Sequence, residues 1–186
     1  MRNLELFSLR GVQCSDRRST ILKIFILFLA LNQASVSLDE TLTWLMNFSK
    51  EHGYARDAHS VTSKLHINSL RVVEGCSVVV EHEFLEPSVK LRKRTDPISL
   101  GDFDPAKIQA TLNLTDEADN PLFVVEMERS DSARKIQVAA EMRDGSKKTF
   151  LVANEFFYLD SRDAAVRFKK ALEHAITLCG GKRAPF

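Results

Sequence analysis

Ser161-Arg162-Asp163-Ala164-Ala165-Val166-Arg167-Phe168-Lys169-Lys170-Ala171-Leu172-Glu173-His174-Ala175-Ile176-Thr177-Leu178-Cys179-Gly180-Gly181 is the stretch that decides the fold. Ala165, Phe168, Leu172, Ala175, Ile176 and Cys179 recur at spacings of three and four, which is one face of a helix. Asp160 or Ser161 supplies the N-cap, and Gly180-Gly181 stops the helix. An apolar stripe of this kind has to be buried against another element. Almost everything upstream reads as strand, so the stripe is expected to lie on a sheet.

The upstream reading rests on alternation of period two from about Lys64 to Leu159. Leu65 and Ile67 alternate with polar neighbours, and Glu74-Gly75 is a turn. Cys76, Val78, Val80, His82 and Phe84 then share one face. Val89 and Leu91 follow, then a short segment at Ile98–Phe103. Ile108, Ala110, Leu112 and Leu114 form the next face, then Phe123, Val125 and Met127, then Ile136, Val138, Ala140 and Met142. Arg143-Asp144-Gly145-Ser146 is a hairpin signal, and Thr149 to about Tyr158 is the last strand. Ahead of the strands, Leu38, Leu42, Leu45 and Met46 predict a helix from Leu38 to about Glu51, beside Trp44 and Phe48, with Gly53 as its stop. Residues 52–61 read as a loop. The expected class is α+β: an N-terminal helix, seven or eight antiparallel strands in a bent sheet or roll, and a long C-terminal helix packed on it.

The first 37 residues read as an address. Arg17, Arg18 and Lys23 lead into the apolar run Ile21–Leu31, and Ser35-Val36-Ser37 offers a small-x-small cleavage pattern. Eleven apolar residues fall short of the roughly 20 needed to span a bilayer. The expectation is a secretory signal peptide over 1–37, cleaved near Ser37, with a signal-anchored membrane protein as the alternative. A single domain over 38–186 remains, exported to the periplasm or the medium. Removing the leader takes five basic and two acidic residues from totals of 26 and 25, leaving a net charge near −2. No field of that size favours nucleic acid. Cys14 leaves with the leader, so Cys76 and Cys179 are expected to form one disulfide.

Motifs for catalysis and cofactors are absent. There is no Gly-x-Gly-x-x-Gly, phosphate-binding loop, Gly-x-Ser-x-Gly, His-Glu-x-x-His or Cys-x-x-Cys. The five histidines show no metal-ligand spacing, and His82 reads as a core-face or edge histidine. No cofactor and no metal are expected. Asp102 and Asp104 in Asp102-Phe103-Asp104-Pro105 form a carboxylate pair that could serve a cation or acid–base chemistry, although turn formation explains both more simply. Lys90, Arg92, Lys93 and Arg94 are the only basic cluster. They suit either an anionic membrane surface or the guarded edge of a sheet.

The order of elements resembles the pleckstrin-homology-like roll, in which a final helix plugs one end of a bent sheet; a helix-grip arrangement is the alternative. Leu100-Gly101-Asp102-Phe103-Asp104-Pro105, the Ala165–Gly181 tail, Cys76 and the Trp44 helix also look like small exported bacterial proteins of uncharacterised function. That resemblance spans nearly all of residues 38–186 and brings no catalytic residues with it. Pleckstrin-homology domains bind phosphoinositides through a basic loop near the first hairpin, whereas Glu74-Gly75 here is not basic. The function expected is a non-enzymatic, exported binding module contacting a protein or envelope component. The alternative is a carrier of a lipid or small apolar ligand lined by Phe84, Phe123, Met127, Phe156, Phe157 and Phe168. An enzyme would need Asp102, Asp104 and a histidine to converge.

Overall fold

The computed structural model describes residues 36–56, 64–115, 121–131 and 134–181, with only the backbone of 113–115. Residues 1–35 of the expected leader lie outside the described residues. The folded unit begins at Ser37.

Helix α1 runs Leu38–His52. Ser37 is its N-cap and forms a reciprocal pair with Glu40: the Ser37 Oγ accepts from the Glu40 N–H, and the Glu40 carboxylate accepts from the Ser37 N–H at 2.8 Å. The expected cleavage after Ser37 would therefore remove the cap of the first helix. Leu42, Leu45 and Phe48 are its buried face. Gly53 ends it by close approach: a Cβ there would overlap the Ser49 and Asn68 carbonyls.

Nine strands follow among the described residues: β1 Tyr54–Arg56, β2 Lys64–Glu74, β3 Ser77–Phe84, β4 Leu91–Ser99, β5 Phe103–Thr115, β6 Pro121–Arg129, β7 Ile136–Met142, β8 Lys147–Val152 and β9 Asn154–Leu159. Helix α2, Arg162–Leu178, closes the chain. All strand pairs are antiparallel. They form two open sheets, one of six strands in the order β1-β2-β3-β4-β7-β8 and one of three in the order β5-β6-β9.

The α+β class and the placing of the C-terminal helix on a sheet are as the sequence predicts. The strand count and the single sheet are not, for identifiable reasons. β1 is three residues long and lies where a loop was expected. The expected last strand is two: β8 pairs with β7 in one sheet, and one residue later β9 pairs with β6 in the other. Conversely, β4 continues through Pro97 where the sequence suggests a break. β3 pairs with it there, while the recorded pairing with β7 ends at Thr95, so the missing N–H falls on the unpaired side.

The core joins α1, α2 and both sheets. Phe103, Phe157, Phe168, Leu45, Leu100 and Leu172 are fully buried within it. The stripe on α2 matches its reading as far as Ile176, with Ala164 added, while Cys179 lies past the helix as its half-buried C-cap. Ser161 caps the helix by accepting from the Ala164 N–H at 3.3 Å. Cys76, in the turn before β3, is bonded to Cys179, the C-cap of α2, with Cα atoms 5.7 Å apart. Gly101 fits beneath that helix end, since a Cβ would lie 2.8 Å from the Cys179 carbonyl. No helix among the described residues is long and apolar enough to cross a membrane.

Candidate functional site

The inner face of the six-stranded sheet changes character along its length. At one end Leu70, Val78, Val80 and Ile98 are buried hydrocarbon. At the other, the same alternation turns His66 and Asn68 of β2, His82 of β3, and Arg94 and Asp96 of β4 into the core. Cross-strand register sets Asn68, His82 and Arg94 in one row. Glu155 of β9 meets this row from the three-stranded sheet.

The contacts form a chain. His66 Nε2 lies 3.1 Å from His82 Nδ1. His82 Nε2 lies 2.8 Å from Glu155 Oε1 and 3.5 Å from Asp96 Oδ2. Arg94 Nη2 donates to Glu155 Oε2 at 3.1 Å and pairs with Asp96 Oδ2. Asp96 Oδ1 and Arg94 Nε have no hydrogen-bond partner, so their pairing is ionic rather than a two-pronged fork. Aromatic rings wall the chain: Phe84 and Tyr158 each stand 4.4 Å from the His66 ring, and the Arg94 guanidinium lies 5.0 Å above Phe156. Asp96 and Glu155 are completely buried and Arg94 is 5% exposed.

Burial shapes the proton affinities. It pushes the Glu155 carboxyl up to about 7, with His82 pulling it down and Asp96 adding to the rise. It also drives His66 down to about 3, helped by the charges on His82 and Arg94. For His82 burial works against the charged form, but Asp96 and Glu155 outweigh it and hold the imidazole above its ordinary value. Asp96 feels the same desolvation, yet His82, Glu155 and Arg94 keep it below the usual carboxylate range.

His82, Asp96 and Glu155 bring three ligand atoms within 4.8 Å of one another, a set able to hold a divalent ion. Arg94 already stands on both carboxylates, however. With neutral imidazoles, Asp96, Glu155 and Arg94 sum to one negative charge. One proton cancels it, whereas a divalent ion would leave a buried positive charge. The set suits a proton better than a metal.

A concave surface lies elsewhere among the described residues, along the outer side of α1. It encloses about 680 Å³ between Asp39, Glu40, Thr43, Trp44, Asn47, Phe48, Glu51 and His52 of α1 and Arg167 of α2. Trp44, the only tryptophan, stacks on Phe48 at 4.3 Å. Arg167 lies 5.8 Å from the Trp44 ring and 5.1 Å from Phe48. His52 Nδ1 meets Asp160 Oδ2 at 2.9 Å, tying the end of α1 to the start of α2.

The residues singled out in the sequence part company in space. Arg94 leaves the basic cluster for the core. Arg92 pairs with Glu141 at 2.9 Å, and Lys93 sits in register between Glu83 and Glu141. Lys90 is exposed, and its carbonyl accepts from the Arg143 N–H. Asp102 pairs with Arg129 at 2.6 Å, while Asp104 is buried and accepts from the Ala106 N–H at 2.9 Å, the turn role expected of it. Of the carrier residues, Phe157 and Phe168 pack 4.8 Å apart in the core beside Met127, Phe84 and Phe156 wall the histidines, and Phe123 is half-buried. Sequence reasoning did not find the buried cluster. The available signal was parity: Arg94 and Asp96 alternate in step with Ile98, and Glu155 with Phe157 and Leu159.

No family model, curated protein or solved structure matches the chain.

Proposed function

We propose that this is an exported, non-enzymatic binding module whose partner is a basic segment of a protein, held in the groove along α1. The observation that supports this most is the composition of that groove. Half-buried Trp44, stacked on the buried Phe48, is rimmed by Asp39, Glu40 and Glu51, while Arg167 is the only fixed positive charge among the lining residues. Aromatic rings with carboxylates around them suit lysine and arginine side chains, through cation–π contact and charge attraction. The buried charges, in contrast, are closed to a substrate on both sheets. The Cys76–Cys179 bond is consistent with export.

Trp44 makes the test direct, because it is the sole tryptophan and lies in the groove. Its fluorescence is followed while the disulfide-bonded protein is titrated with a peptide alternating Lys or Arg with aromatic residues, and with its Glu-substituted counterpart. The reading expects a saturable change with the basic peptide, weakened as salt rises, and none with the acidic one. Equal responses to both peptides, or none to either, would reject it.

A further inference from the structure

Arg167 is an arginine without a carboxylate. Arg92, Arg94 and Arg129 each meet one, and Lys169 pairs with Glu173 one turn along α2. Arg167 is exposed and, among the described residues, makes no ion pair or hydrogen bond, although Asp39 and Glu51 line the same groove. Its guanidinium lies instead 5.1 Å from the Phe48 ring and 5.8 Å from the Trp44 ring. The next residue carries it there: Phe168 is fully buried and stands 6.2 Å from Phe48, which sets this turn of α2 against α1. Building on the groove's proposed role as a site for a basic segment, we infer that Arg167 is its built-in occupant, a guanidinium of the chain's own that a partner's cation has to displace from the Trp44 ring.

Competition follows from the geometry. A cation is drawn to a ring only within about 6 Å of its centre. Two like charges in that space repel each other. A partner's lysine or arginine therefore takes the Trp44 ring only as Arg167 leaves it. Arg167 is able to leave, since it is exposed and gives up no carboxylate in going. The exchange also sets a threshold for the partner. A segment with a single basic residue trades one cation for another and gains little. A segment with further basic residues also reaches Asp39 and Glu51, whose charge Arg167 leaves unused. The device thus favours a partner with several positive charges over one with a single charge.

The test is titration of the disulfide-bonded protein with the same basic peptide, followed by Trp44 fluorescence, in the wild type, in Arg167→Gln and in Lys170→Gln. Lys170 is exposed on the same helix and does not line the groove, so its variant loses the same charge without freeing the ring. Arg167→Gln is expected to bind the peptide about threefold to tenfold more tightly than the wild type, and Lys170→Gln as the wild type does. Affinity that is unchanged or lower in Arg167→Gln, or that rises equally in both variants, would overturn the inference and leave the groove's proposed role standing. Binding by none of the three proteins would overturn both. Should Arg167→Gln fail to fold, the isotope-labelled wild type decides through the Arg167 Nε–H resonance. Its ring-current shift is expected to vanish as the unlabelled peptide saturates, and a resonance that stays in place while the peptide binds would overturn the inference.

Discussion

Arg94 reaches two carboxylates that are completely buried. Its value to the fold is unlike that of an exposed ion pair, which contributes about 0–1 kcal/mol. Replacing it by methionine keeps the hydrocarbon stem but strands two negative charges, so Arg94→Met is expected to cost about 3–5 kcal/mol in urea unfolding. Restoring balance at the same time should recover much of that loss. The double variant Arg94→Met, Glu155→Gln is therefore expected to be more stable than Arg94→Met alone, and a double variant with additive losses would argue against electrostatic coupling. Parity along β4 made this residue's direction legible in principle. Its partners were not legible, because Glu155 lies 61 residues away in sequence and on another sheet.

At the scale of elements, the two helices were legible because their signals are local. Ser161, the α2 stripe and the glycines after it all fall within one stretch. The division between β8 and β9 was not. Ala153 is an ordinary residue in a continuing strand pattern, and only the pairing partners reveal that the chain changes sheets there. The disulfide was legible from the expected export and the cysteine count, and it fastens the end of α2 to the turn before β3. Its two cysteines are 103 residues apart, which favours a large loss on removal. Replacing both by serine should lower stability by about 2–5 kcal/mol, measured by urea unfolding against the oxidised wild type. Ser37→Ala, which removes a cap at the exposed start of α1, should cost only about 1 kcal/mol. A loss as large as that of the disulfide would mean that the cap supports more than its own helix.

For the whole molecule, opposed proton affinities shape the pH profile. His66 holds its proton less tightly in the fold, so its contribution is present above pH 6.5 and fades as pH falls toward about 3. Glu155 acts in the opposite sense between 4.5 and about 7. Between about pH 4.5 and 6.5 the two nearly cancel, and stability should be level; it should fall on either side. His66→Phe removes the acid limb of this balance, so its stability is expected to keep rising as pH drops from 6.5 to 4.5. A variant that loses stability over that interval would show that other groups govern acid unfolding. The composition placed this molecule among ordinary globular domains and excluded a strongly charged one. It could not show that charge is concentrated inside the protein, because net charge says nothing of position.

The central claim is that recognition belongs to the outer face of α1 rather than to the buried charges. Binding of the basic peptide by Asp39→Lys, Glu51→Lys tests it most directly, because both residues line the groove and neither reaches the sheet cluster. Measured by Trp44 fluorescence at low salt, the affinity should fall at least tenfold while the urea midpoint moves little. Unchanged affinity in that variant would contradict the claim.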